Sequence, residues 1–284
     1  MSAKSAPRLR DLSSRLWIAA IWTLLGFFVV NLFGIIGAVV TSSFATRWLR
    51  SWLPNGFTGK WYLDAWDEFQ LGDVLTTTFE VVGAVVVISG LIGVPAAYAM
   101  ARRDFPGKSL VMLIFLLPLM APPITYGIPL ATVLYQTGAG GTLTGVILAN
   151  LVPTVPFVIL VMIPFVEQID PRIEQAARVF GAGTGWLFVH VLAPLLLPGV
   201  LAALLLVLVR TIAMFELTFL TAGPSSQTLV VALYYAVFAA GVRAVQSIDA
   251  MAVIYMVLTM IWLIIALRFV NPTQIVSRGK PTRA

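Results

Sequence analysis

The chain has 284 residues, of which 60% are hydrophobic and only 11% charged, with a net charge of +6 and a mean hydropathy of +0.96. That balance excludes a soluble domain of this length and makes the chain an integral membrane protein. Cysteine is absent, so a disulfide framework, a thiolate metal site and a cysteine nucleophile are excluded as well.

In chain order, the basic start "MSAKSAPRLRDLSSR" precedes an apolar run at residues 17–40. The run is longer than a signal-peptide core and has no clear small-residue cleavage site, so it is read as a retained first span. A bilayer needs about 20 mostly apolar residues per helix, and further runs lie at 77–101, 109–135, 142–166, 195–222 and 248–270. The expected fold is therefore an all-α membrane protein with six transmembrane helices. The alternative is five spans, with one run forming a re-entrant hairpin.

Lys and Arg gather on the cytoplasmic side of membrane proteins. With the N-terminus inside, 13 of the 18 Lys and Arg residues fall on that side, four fall outside and Arg210 lies within the fifth span. Both termini are thus expected in the cytoplasm, which makes 1–16 and 271–284 cytoplasmic segments around a transmembrane domain at 17–270. The basic balance is explained by topology, and nucleic-acid binding is not expected.

The segment at about 41–76, containing "WLPNGFTGKWYLDAWDEFQLGD", is expected outside. Its Trp48, Trp52, Trp61, Tyr62 and Trp66 suit an interfacial belt. It is either an amphipathic element on the membrane surface, a contact for an external partner, or both. Spans three and four carry many Gly and Pro residues, in "LLPLMAPPITYGIPL" and "NLVPTVPFVILVMIP", and both are expected to kink or unwind. Such breaks either line a transport pathway or serve helix packing.

The second polar segment, about 168–194, falls on the cytoplasmic side between spans four and five. In "DPRIEQAARVFGAG", Asp170 and Pro171 stand as N-cap and first helical residue, and Gly-Ala-Gly supplies a stop. "TGWLFVHVLAP" is read as a second helix capped by Thr184, turning back to the membrane through Pro194 and Pro198. The result is a helical hairpin.

"QAARVFG" followed by "VLAP" resembles the EAA loop of membrane subunits of bacterial ATP-binding-cassette importers, with Ala176, Ala177, Gly181, Val191 and Pro194 at the motif positions. Gln175 stands where that pattern has Glu, with Glu174 just before it, and Ala193 replaces Leu. The resemblance implies a type I importer permease, whose small residues allow a short coupling helix to seat closely in a groove of an ATPase subunit. Glu174, Gln175, Ala176, Ala177, Gly181 and Pro194 are the implied coupling residues. "GFTGKWYLDAW", "YAMARRDFPGKSLVMLIFLLPLMAPP" and "MFELTFLTAGPSSQTLVVALYYAV" are similar to inner-membrane subunits of spermidine and putrescine importers, and ferric-iron and sugar permeases share part of this pattern.

Charges within spans need partners or water, and Glu80, Arg210, Glu216 and Asp249 qualify. Glu80 and Asp249 fall near the outer ends of their spans. On a continuous helix Arg210 and Glu216 are about 240° apart and leave different faces. Glu216 is expected either in the pathway of a cationic solute or in a salt bridge to a partner subunit. For a neutral sugar, Tyr126, Tyr234 and Tyr235 are the pathway candidates.

His190 is the only histidine, a poor basis for a metal site, and a local hydrogen bond is expected of it. No G-x-x-x-x-G-K-[ST] phosphate loop is present, so the chain is expected to be a transport subunit without catalytic residues or a bound cofactor. ATP and magnesium would belong to two ATP-binding-cassette ATPase subunits. The other partners the resemblance implies are a second permease subunit in a heterodimer, an extracytoplasmic solute-binding protein, membrane lipid and a small solute. That solute is a polyamine, with a sugar or polyol as the alternative, and the location is the bacterial inner membrane. A secondary transporter or a membrane scaffold is the reading left if the hairpin plays no coupling role.

Overall fold

Helices form along the apolar runs, and prolines and tertiary packing decide where they stop. The computed structural model describes residues 7–48, 51–238 and 243–269, with side chains from Ser14 onward. Residues 1–6 of the expected N-terminal segment and the whole expected tail at 271–284 lie outside the described residues.

The helices are α1 (Pro7–Phe44), α2 (Lys60–Glu68), α3 (Leu71–Arg102), α4 (Lys108–Met120), α5 (Pro123–Gln136) and α6 (Leu143–Glu167). Then come α7 (Pro171–Val179), α8 (Thr184–Leu187), a π-type turn (Phe188–Leu192), α9 (Ala193–Ile212), α10 (Glu216–Thr221), α11 (Leu229–Phe238) and α12 (Val245–Phe269). Among the described residues the extended structure is an isolated bridge between Ala45 and Phe57. Among the described residues five helices are long and apolar enough to cross a membrane, and α4 with α5 makes a sixth if that pair, bent by 100°, counts as one span. The all-α expectation holds.

The bend follows from the sequence. Pro122 and Pro123 cannot donate to the preceding turn, and a residue before proline avoids helical backbone; Ala121 is accordingly extended, at ψ 140°. Span four does not unwind: α6 runs as one helix through Pro153, Pro156 and Pro164. Each proline removes one N–H from the ladder, but α6 packs along α3 and against α4 and α9, and that packing holds the helix where propensity alone would break it. The expected fifth span, 195–222, also needs correction. It divides into α9 and α10 around Ala213–Phe215, where Met214 donates its N–H back to Thr211. Met214 and Leu217 are buried in one cluster with Leu134 and Ala149, and this packing against α5 and α6 turns the chain out of its helix.

Contacts divide the chain into two units: the described parts of 1–65 and 241–253, and those of 66–240 and 254–284. In the first, the segment expected outside is ordered by its aromatics. Trp61 Nε1 donates to the Ala45 carbonyl at 2.7 Å, and the Ser43 and Tyr62 hydroxyls are 2.9 Å apart. Trp52 is 99% exposed, so this loop splits its aromatics between packing and surface. Asp249 in α12 accepts a short hydrogen bond from Ser42 in α1.

In the second unit the core forms where α3, α6 and α9 meet, around Val81, Val85, Val158, Ile159, Met162 and Val207. Small residues allow this approach, as is usual between membrane helices. A Cβ on Gly93 of α3 would stand 2.6 Å from a Val158 methyl of α6. The first arm of the hairpin leaves α6 directly, and its second arm runs straight into α9.

Candidate functional site: a coupling hairpin and an aromatic intramembrane cluster

The hairpin is built by local rules. Asp170 caps α7, its carboxylate accepting from the Arg172 N–H at 2.9 Å, and Pro171 follows at a position whose N–H would be free anyway. Gly181 ends the helix at φ +85°, and the N–H groups of Gly181 and Ala182 close onto Arg178 and Ala177. That is the left-handed C-terminal turn glycine favours. The second arm differs from expectation: Gly183, not Thr184, is the residue before α8, and no side chain caps it. The arm is one turn of α-helix and then the π-type widening at Phe188–Leu192, just before Pro194, whose missing N–H makes the wider turn less costly. His190 stacks on Trp186 at 4.8 Å and sets Nδ1 3.2 Å from the Trp186 carbonyl, the expected local contact.

Gln175 and Ala176 are exposed along α7, Ala177 is half-buried, and Pro194 is exposed at the start of α9. Sequence reasoning missed the apolar tip: Val179 is 84% and Phe180 91% exposed. Phe180, Trp186 and Gly181 border a cleft of about 430 Å³. The signal was present in "RVF", two apolar residues following a polar helix.

Glu174 faces the other way. It is the one buried residue of α7, and its partners belong to this chain: Arg102 Nε donates to Oε1 at 2.8 Å and the Tyr98 hydroxyl donates to Oε2 at 2.6 Å. Arg102 Nη2 also donates to the Ile169 carbonyl at 2.6 Å. Tyr98 and Arg102 are one helical turn apart on α3, so both reach the same carboxylate. The Tyr98 ring meets Phe188 edge-on at 5.5 Å. The end of α3 therefore holds both arms of the hairpin, a role not assigned to it from the sequence.

The second region surrounds the break after α9. Glu216 opens α10 half-buried, and the Arg210 guanidinium lies 5.3 Å over the Phe157 ring. Because the helix breaks between them, the 240° argument for separate faces does not apply. Tyr126 of α5 lies within electrostatic reach of both charges, and its hydroxyl is buried with no partner. Asn150 of α6 donates to the Thr218 hydroxyl of α10 at 3.2 Å, fixing α10 against α6.

Beside Glu216 the rings of Phe215, Phe219 and Tyr234 form a mutually contacting trio at 5.0–5.2 Å. Tyr235 and Phe238 extend it, at 5.8 Å and 4.7 Å from Tyr234. The structure thus brings Tyr234 and Tyr235 together with Phe215 and Phe219, which stand one residue before and three residues after Glu216 in the chain. Phe215, Phe219 and Arg210 were not singled out for this site from the sequence. Among the described residues no group of three or more His, Cys, Asp or Glu is placed to hold a metal ion.

Residues 89–275 match the family model described as binding-protein-dependent transport system inner membrane component. The chain belongs to this family. This inner-membrane component is 26% identical over 185 residues to a diacetylchitobiose uptake system permease protein of Streptomyces coelicolor, a match covering 65% of this chain and 57% of the relative. It is 34% identical over 155 residues to the molybdenum transport system permease protein of Haemophilus influenzae, covering 49% of this chain and 67% of that one. With a trehalose transport system permease protein of Mycobacterium tuberculosis it shares 37% over 123 residues, 43% of this chain and 45% of the relative. The matches thus span about half to two thirds of the length of these curated relatives.

Among solved structures, a bacterial transporter that imports the acidic polysaccharide alginate superposes with a TM-score of 0.68 at 19% identity, covering 99% of this chain and 100% of that one. A methionine transporter in an inward-facing conformation gives 0.52 at 20% identity, covering 72% and 97%. The importer-permease fold expected from the EAA resemblance is shown.

Proposed function

We propose that this family member is the permease subunit of an ATP-driven importer whose solute is a sugar or polyol. The observation that carries the solute class is the ring cluster Phe215, Phe219, Tyr234, Tyr235 and Phe238 beside Glu216. A sugar presents C–H faces that pack on rings and hydroxyls that pair with a phenol or carboxylate, and such mixed aromatic and polar surfaces suit it. A polyamine calls for uncompensated negative charge. Arg210 lies within reach of the same tyrosine as Glu216, which offsets the attraction a multiply charged cation would feel. The sugar alternative therefore replaces the polyamine expectation, and the chitobiose and trehalose relatives support the change.

In this reading the permease domain at 17–270 is half of the pathway and pairs with a second permease subunit in a heterodimer. Two ATPase subunits, which carry ATP and magnesium, dock on the hairpin at 168–194 through Gln175, Ala176, Ala177, Gly181 and the exposed Val179 and Phe180. An extracytoplasmic binding protein delivers the solute, and both termini face the cytoplasm. ATP-driven closure of the ATPases moves the hairpins and opens the pair outward.

The test is uptake of radiolabelled sugars and polyols, spermidine and molybdate in cells with and without the intact transporter. Chain-dependent uptake of a sugar or polyol is expected. Chain-dependent uptake of spermidine or molybdate without any sugar or polyol overturns the solute assignment.

A further inference from the structure

We propose that α3 is the strut that carries movement of the hairpin to the aromatic helix α11, with Glu174, Arg102 and Tyr98 as its grip at one end and Thr78 at the other. The inference rests on the permease reading and specifies how its two sites communicate.

The hairpin end is a clamp, not a hinge. The Glu174 carboxylate takes one donor on each oxygen, both from α3, and Arg102 uses a second nitrogen to hold the Ile169 carbonyl where the chain leaves α6. Side-chain exposure of Arg102 and Glu174 is 14% and 11%, so water competes little for the pair, and charge-assisted bonds there are strong. With Phe188 packed on Tyr98, displacement of either arm displaces the end of α3.

Thr78 lies 20 residues from Tyr98, about 30 Å along the helix at 1.5 Å per residue. There the Thr78 hydroxyl accepts the Leu229 N–H at 2.9 Å, while donating to the Val74 carbonyl of its own helix. Leu229 is the first residue of α11, and the first N–H groups of a helix have no partner within it. Thr78 therefore supplies from another helix the acceptor α11 lacks. Both residues are buried, at 1% and 0% exposure, so water does not replace that bond if it breaks. From Leu229, α11 leads in about one and a half turns to Tyr234 and Tyr235. Between the two ends α3 cannot slide freely along α6, because Val158 fills the space over Gly93. The two helices move as one body.

Because the chain has no cysteine, single probes are readily placed. Spin labels at Val189→Cys, exposed on the second arm of the hairpin and outside the docking surface, and, separately, Val237→Cys on α11 are followed in the assembled transporter on adding ATP, with solute transported per ATP measured in parallel. Both labels are expected to respond in the otherwise unchanged chain. Glu174→Gln removes the clamp's charge, and Thr78→Val keeps the volume but removes the acceptor. With either, the Val189 label should still respond while the response at 237 falls at least about threefold. Transport per ATP should fall on the order of tenfold, within the usual range of coupling free energies. Thr78→Ser, which keeps the hydroxyl, should restore both readings.

Equal responses at 237 in Glu174→Gln, in Thr78→Val and in the parent chain overturn the strut. So does a parent chain in which only the 189 label responds. A parent complex in which neither label responds to ATP overturns the permease reading beneath it.

Discussion

The hairpin at 170–192 and the stretch at 213–238 are of similar length, and they are specified in opposite ways. The hairpin is a chain of local instructions: a capping Asp170, Pro171 behind it, and a Gly181 that alone tolerates φ +85° without strain. The other stretch has few such signals. Its break comes from burial of Met214 and Leu217 against α5 and α6, its second helix is capped by Thr78 from 151 residues away in the chain, and its rings meet only because α10 and α11 fold together. In the proposed reading the hairpin docks an ATPase and must keep its shape while it moves, whereas the other stretch meets solute and is shaped by whatever surrounds the path.

Substitutions can break or sharpen that contrast. The largest effect is expected where the hairpin joins the body of the protein. Arg102→Ala leaves the Glu174 carboxylate buried with its main counter-charge gone, a change that typically costs about 3–5 kcal/mol. Thermal unfolding of the purified complex should show a clear loss of stability, and an unchanged midpoint would mean that the clamp is not buried in the assembly. Gly181→Leu comes next. No atom lies within 4 Å of the position a Cβ would take, so packing inside the chain is spared, but a left-handed non-glycine residue costs about 1–2 kcal/mol and a bulky side chain obstructs docking. Solute-stimulated ATP hydrolysis should drop at least about tenfold with the chain still in the membrane; full activity would remove Gly181 from the docking surface.

In the other region, Tyr234→Ala removes the ring that contacts Phe215, Phe219, Tyr235 and Phe238. Aromatic pairs contribute about 0.5–1.5 kcal/mol each beyond area burial, so the concentration of sugar giving half-maximal uptake should rise roughly tenfold. No change would place the cluster off the path. Glu216→Gln is the mildest: for a neutral solute, loss of one charge with volume retained should alter uptake by less than about fivefold, since a single surviving hydrogen bond differs by about 1 kcal/mol. Abolished uptake in a fully assembled complex would show that charge at 216 decides transport, and loss of assembly would assign Glu216 to a subunit contact.

Particular residues show where legibility ended. The all-helical class and five of the six apolar runs followed from hydropathy, because lipid demands long apolar helices wherever the chain crosses. Pro122–Pro123 broke span three, as a pair of missing donors must. The three prolines of α6 did not break span four, because neighbouring helices restrain it, and that restraint has no local trace in the sequence. Glu174 was assigned to the coupling loop by its place beside Gln175, but the direction of its side chain depends on Tyr98 and Arg102, more than 70 residues away in the chain.

By itself the sequence determined that the chain lives in lipid, that it is helical, and that a capped, glycine-terminated hairpin interrupts its apolar runs. Composition, proline position and backbone handedness act over a few residues and need no fold to be read. Tertiary structure decided which way Glu174 turns, where the fifth run stops, and which rings meet at the start of α10 and along α11. Those outcomes depend on the free energy of burying one helix against another, and that quantity exists only once distant segments have met.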